Sequence, residues 1–145
     1  MKEKIIVSAC LLGEKVRYDG AGFELEEMDL LKEKYELIPM CPEVLGGLSV
    51  PRDPSEIIDG LVLSINGKDV TANYEEGARI TLDYCLKNGI RKAVLKARSP
   101  SCGKDNIYDG TFSNRLVEGH GVACRRLLEN GIKVYTENEI GGLLL

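Results

Sequence analysis

Apolar residues follow two rhythms along this chain. One set forms short continuous runs, Ile5-Ile6-Val7, Leu37-Ile38, Ala93-Val94-Leu95 and Ile132 with Val134, and such runs suit strands buried on both faces of a parallel sheet. They predict strands over residues 4–9, 36–40, 92–97 and 132–135. Pro39 has no N–H to donate, so the second strand belongs at a sheet edge or a strand end. The other set recurs at helical spacing. Phe23, Met28, Leu30, Leu31 and Tyr35 predict a first helix. Ala78, Ile80, Leu82, Cys85 and Leu86 predict a longer one, capped by Thr71, running to Lys87 and stopped at Asn88-Gly89. A third helix is expected over residues 121–129, and the chain ends in a short turn or helix.

Chain breakers divide these elements. Gly46-Gly47 and Pro51-Arg52-Asp53-Pro54 mark a loop, with a short helical turn expected at Ser55–Ile58. Residues 61–65, the turn Asn66-Gly67 and residues 68–71 read as a hairpin, because Asn-Gly suits a type I′ turn. Strands alternating with helices give an α/β fold, a mainly parallel central sheet covered on both faces, with this hairpin as a small insertion. In such sheets ligands bind beyond the carboxyl ends of the strands, where the strand order reverses.

At 145 residues the chain is expected to form one domain, spanning residues 1–145. Its apolar stretches fall far short of the roughly 20 residues a membrane span needs. The start, Met1-Lys2-Glu3-Lys4, lacks the pattern of a secretory signal, so a cytoplasmic protein is expected. A net charge of −4 and a pI near 5.1 argue against polymeric nucleic acid as a partner.

That compartment changes the meaning of five cysteines. Thiols kept reduced point away from a disulfide scaffold and towards metal binding or thiol chemistry. Cys10 follows the first expected strand, Cys41 the second and Cys102 the third, so three distant residues are expected to meet at one sheet edge. None forms a C-x-x-C pair, which leaves a zinc ribbon or ferredoxin-type motif unsupported. Thiolates suit zinc, copper(I) and iron–sulfur clusters, and three of them on a cubane cluster leave one iron without a protein ligand. A redox pair of cysteines is the alternative. Cys85 and Cys124 sit on apolar helix faces and are assigned to the core.

Other candidates surround these thiols. Glu43, in Cys41-Pro42-Glu43-Val44, is held near Cys41 by Pro42 and suits a general acid or base; a solvated loop carboxylate is the plain alternative. Ser99 and Ser101 flank Pro100 before Cys102, where their hydroxyls can position water or donate to a developing charge, or simply cap a turn. Lys96 and Arg98 stand upstream as cations that would offset thiolate charge. Tyr18-Asp19-Gly20 and Tyr108-Asp109-Gly110 repeat a tripeptide that reads either as turns or as a pair of rings lining a pocket for a planar ligand. His120, the single histidine, is read as a loop residue outside the site.

Together Val7-Ser8-Ala9-Cys10-Leu11-Leu12-Gly13, Arg17-Tyr18-Asp19-Gly20, Cys41-Pro42-Glu43-Val44, Ser99-Pro100-Ser101-Cys102-Gly103 and Ile107-Tyr108-Asp109-Gly110 resemble a bacterial family of small proteins that includes 2-thiouracil desulfidase. The resemblance spans nearly the whole chain. It implies a Rossmann-like three-layer fold and a 4Fe-4S cluster held by Cys10, Cys41 and Cys102, with one open iron. It further implies a non-redox reaction on a thiocarbonyl compound, a thiolated nucleobase such as thiouracil leading, in which the open iron polarises C=S, water attacks the carbon and hydrosulfide leaves. Glu43 would activate the water, helped by a serine matched to Ser99 before Ser101. A cysteine-ligated zinc hydrolase and a non-enzymatic iron–sulfur or sulfur carrier are the competing readings.

Overall fold

The apolar run at residues 5–7 is buried on both sides, and this sets the layers. Ile5 and Val7 pack with Met28, Leu31, Ile140 and Leu143, whereas Ile6 faces a second cluster containing Leu82, Cys85, Cys124 and Leu127. Alternate side chains of one strand thus feed two cores, the period-two geometry of an extended chain.

In the computed structural model, residues 2–22 and 25–144 are described. Along the chain run β1 (Glu3–Ser8), a 3₁₀ turn (Ala9–Leu12), α1 (Glu27–Lys34), β2 (Tyr35–Met40), α2 (Pro42–Leu45), β3 (Ser55–Ile58), β4 (Leu61–Ser64) and α3 (Thr71–Lys87). There follow β5 (Lys92–Leu95), β6 (Asn106–Tyr108), β7 (Leu116–Glu118), α4 (Val122–Glu129), β8 (Lys133–Thr136) and α5 (Gly141–Leu144). Strands β2, β1, β5 and β8 lie side by side in that order, every pair parallel. Helices α1 and α5 cover one face and α3 and α4 the other, which gives three layers. The chain leaves β1 for β2 on one side and then crosses to β5 on the other, so the order reverses between β1 and β5. All four carboxyl ends share one edge.

The four expected strands are present, and Pro39 lies on the edge strand β2, opposite Val7. The first helix is shorter than its periodicity suggests: Tyr35 opens β2 rather than closing α1, Leu30 is exposed, and Phe23 lies outside the described residues.

The hairpin is shifted. Ser55–Ile58 is strand β3, not a helical turn, and it pairs antiparallel with β4 through Asp59-Gly60, both at positive φ (50° and 79°) as a type I′ turn requires. Asn66-Gly67 does turn the chain, but residues 68–70 return only one bridge, Leu63 to Asp69. The helix start takes over there. Asp69 Oδ1 accepts the Thr71 N–H at 2.9 Å, and Thr71 Oγ1, expected to cap the helix, instead accepts the Val62 N–H at 2.8 Å. The three-residue strands β6 and β7 form a second hairpin that no periodicity announced.

Helix α2 is short, and its position comes from direct backbone contact with α3. A Cβ added at Gly77 would be driven into the Pro42 carbonyl, and one at Gly46 into the Asn73 carbonyl, while Asn73 Nδ2 donates to Gly46 O at 2.9 Å. Gly77→Ala is therefore expected to push α2 off α3 and to lower stability by about 1–3 kcal/mol, the usual cost of overpacking. Chemical denaturation checks this, and an unchanged midpoint would show that the contact can relax.

Candidate active site

Each cysteine of the expected trio sits where a strand of the central sheet gives way to its loop. Cys10 lies in the 3₁₀ turn after β1, closed by Gly13 at φ 90°, whose N–H reaches Cys10 O at 3.3 Å. Cys41 follows β2 as the extended residue before α2. Cys102 belongs to the loop after β5, and that loop is fastened to α4. The carbonyls of Pro100, Ser101 and Gly103 accept all four leading N–H groups of the helix: Gly121 to Gly103, Val122 to Pro100, and Ala123 and Cys124 to Ser101, at 2.7–3.1 Å. Gly121 permits the approach, since a Cβ there would stand 2.5 Å from the Ser101 carbonyl.

All three thiols line one cleft of about 440 Å³ at the carboxyl edge, beside the reversal point, together with Ser8, Glu43, Arg52, Lys96 and Ser99. All three are free thiols. Burial pushes Cys10 up to about 11, reinforced by Cys41 and eased by Lys96 and Arg17. Burial also raises Cys41, against backbone N–H groups of Val44 and Glu43 that favour its thiolate. Cys102 is raised most, with the Ser8 hydroxyl pulling the other way and Cys41, Glu43 and Cys10 adding to the rise. A thiolate at one of these positions would thus disfavour ionisation of its neighbours, and a cationic centre that relieves this repulsion is what the three suit. Among the described residues no three His, Cys, Asp or Glu side chains are gathered as one metal ion would require. An iron–sulfur cluster is itself several ångströms across, and soft sulfur donors are its normal ligands.

Glu43 is clamped from two sides. Its Oε1 accepts from Arg52 Nε at 3.1 Å and from the Tyr74 hydroxyl at 2.8 Å, while Oε2 meets Ser99 Oγ at the longer distance of 3.4 Å. Both partners of the Glu43–Arg52 ion pair are largely buried, their side chains 14% and 8% exposed. Arg52 is fixed in turn by donating to Ser49 O and Val16 O. Burial and then the Glu43 carboxylate hold the Tyr74 phenol far above its usual range, so it remains a donor. Oε1 is thus committed and Oε2 is the oxygen better placed to accept a proton. Ser99 Oγ accepts the N–H groups of Ser101 and Cys102 at 3.1 and 3.0 Å, which aims its own proton at Glu43.

The remaining candidates separate cleanly. Ser101 is fully buried, its Oγ has no partner among the described residues, and it is not among the residues lining the cleft. Lys96 lines the cleft and pairs with Glu137 at 2.8 Å; Arg98 lines it too. Tyr18 and Tyr108 are both on the wall, whereas Asp19 and Asp109 each accept the N–H two residues ahead, so the repeated tripeptide serves as both pocket and turn. His120 Nδ1 accepts the Asp105 N–H in its loop. Cys85 and Cys124 are fully buried in the core under α3 and α4.

Sequence reasoning missed Arg52, Tyr74 and Ser8. Arg52 looked like part of a proline-bounded loop. Tyr74 precedes Ala78 by one helical turn and so shares its buried face, a signal that periodicity did contain. Ser8 Oγ accepts the Lys96 N–H at 2.9 Å, tying β1 to the start of the Cys102 loop.

The family model for 2-thiouracil desulfurase matches residues 5–139. The chain belongs to the 2-thiouracil desulfurase family. The match takes in every cleft residue named above. The uncharacterized protein YbbK of Bacillus subtilis (strain 168) is 39% identical, covering 97% of this chain and 99% of its own length. A solved structure, the [4Fe-4S]-dependent thiouracil desulfidase TudS, is 44% identical and superposes with a TM-score of 0.92, over 98% of this chain and 95% of TudS. The three-layer architecture is therefore that of a 2-thiouracil desulfurase family member throughout. No helix among the described residues is long and apolar enough to cross a membrane.

Proposed function

We propose that this chain removes sulfur from a thiolated nucleobase such as thiouracil, with a 4Fe-4S cluster held by Cys10, Cys41 and Cys102, giving the carbonyl compound and hydrosulfide. The observation that carries this reading is the meeting of three reduced thiols and a clamped carboxylate in one cleft at the sheet edge. The likeness to TudS supports the same cofactor class.

Bound through three cysteines, the cluster supplies a Lewis-acidic iron without a protein ligand, suited to polarising a C=S group. The chain's own residues supply the rest. Glu43 Oε2 takes a proton from the attacking water, while Arg52 and Tyr74 keep Oε1 from turning in its place. Ser99 Oγ, oriented by two backbone N–H groups, directs its proton at Oε2 and so helps hold that oxygen in position. Tyr18 and Tyr108, both on the cleft wall, offer rings against which a flat base would pack. The sum is C=S plus water giving C=O plus hydrosulfide and a proton, with no electrons exchanged. A cleft of about 440 Å³ suits a small base and not polymeric nucleic acid.

The test is anaerobic. Iron and sulfide are reconstituted, 2- or 4-thiouracil is added, and loss of thiocarbonyl absorbance is followed beside hydrosulfide release, one per base consumed. A loaded protein that leaves both bases intact overturns the proposal, and cluster transfer to an acceptor in its place would favour a carrier. Tyr74→Phe is a narrower check. It removes one hydrogen bond to a buried carboxylate, so a stability loss of about 1.5–3 kcal/mol and slower turnover at undiminished iron content are expected.

A further inference from the structure

The hairpin of β6 and β7 carries a strap, residues 109–115, that forms part of the cleft wall: Phe112 and Asn114 both line it. Its backbone is costly. Phe112 sits at φ 57° and Asn114 at φ 61°. Asn tolerates the left-handed region, whereas a bulky aromatic there is an outlier that its surroundings must enforce. The enforcing group is Glu56 on β3, a largely buried carboxylate whose Oε1 accepts the N–H groups of both Gly110 and Phe112, at 3.0 and 3.1 Å. Gly110, at φ 95°, packs so closely on β3 that a Cβ would come within 2.6 Å of Ile58 Cβ. Asp109 closes the base, its N–H donating to Arg115 O at 2.9 Å. None of these bonds serves the thiols or Glu43.

We propose that this strap is the element that reads the ring of the substrate. Phe112 offers a face to a flat heterocycle. Asn114 offers an amide, donor and acceptor together, to a lactam edge of the –NH–C(=O)– type away from the reacting sulfur. Glu56 is a positioning residue that holds Phe112 in its left-handed conformation. The substrate class is accordingly a planar cyclic thioamide or thioureide with a carbonyl edge, in preference to acyclic thioureas. This rests on the desulfuration reading above but assigns it new residues.

The experiment measures KM for 2-thiouracil and for thiourea, and, separately, binding of the unreactive product uracil by calorimetry. Phe112→Ala is expected to weaken uracil binding and raise KM for 2-thiouracil by roughly 5- to 150-fold, the usual span for losing one base–aromatic stack, with little change for thiourea. Asn114→Ala should reduce the preference for uracil over a ring lacking the carbonyl edge. Glu56→Ala should reproduce the Phe112→Ala defect without adding to it in the double variant, and Glu56→Gln, which keeps a carbonyl acceptor, should restore most of it. Normal turnover with uracil binding unaltered in Phe112→Ala and Glu56→Ala overturns the strap's role alone. Ring binding that depends on Phe112 in a loaded protein without turnover would sustain the strap and sink the desulfuration reading.

Discussion

Replacing Cys10, Cys41 or Cys102 by alanine, one at a time, is expected to bring cluster iron close to zero and remove the visible absorbance that accompanies it. The expectation follows from where the sulfurs stand. Each comes from a different strand end, so the loss of one leaves two donors on separate loops, and neither Cys85 nor Cys124 lines the cleft. Cys85 provides the contrast: it is fully buried on α3 and does not line the cleft. Cys85→Ala should keep its iron while losing of order 1 kcal/mol of stability, about one buried methylene's worth. Iron content measured after anaerobic reconstitution, with circular dichroism as a check on folding, separates the two effects. A variant at one of the three positions that loads iron like the wild type would remove that residue from the ligand set.

Glu43→Gln is expected to leave iron content near the wild-type level and to lower kcat on 2-thiouracil by about 10²- to 10⁴-fold, the range that a positioned general base supplies. The amide has nearly the same shape and can still accept from Arg52 and Tyr74 through its oxygen, so the pocket should survive. What it loses is the ability to take a proton at the position of Oε2. Arg52 is then left largely buried beside a neutral partner, and some stability should go with it. Turnover and denaturation are therefore measured on the same loaded sample. A variant that turns over like the wild type would place the base elsewhere, and Glu43 would become a structural partner of Arg52.

The sheet was readable because its strands announce themselves. Ile5-Ile6-Val7 and Ala93-Val94-Leu95 need two apolar faces, and only a covered parallel sheet provides both. Once those strands are placed, the loops holding Cys10, Cys41 and Cys102 fall at one edge by connectivity alone. The inserted hairpins were harder. Asn66-Gly67 and Asp59-Gly60 are equally good turn pairs, and local chemistry does not say which is flanked by strands; burial of Val62 and Ile57 against Tyr74 does. The clamp on Glu43 was illegible for a related reason. Arg52 lies nine residues from Glu43 and Tyr74 thirty-one, and nothing in either segment marks them as partners until α2 has docked on α3.

The fastening of the Cys102 loop to α4 has one more implication. Four peptide hydrogen bonds hold the Cys102 loop on α4 without using the thiol itself, unlike a zinc finger, whose chain stays unfolded until its metal arrives. If a cluster is held there as proposed, a molecule bleached by air is expected to keep its shape and to be rechargeable with iron and sulfide, because these bonds join peptide groups alone.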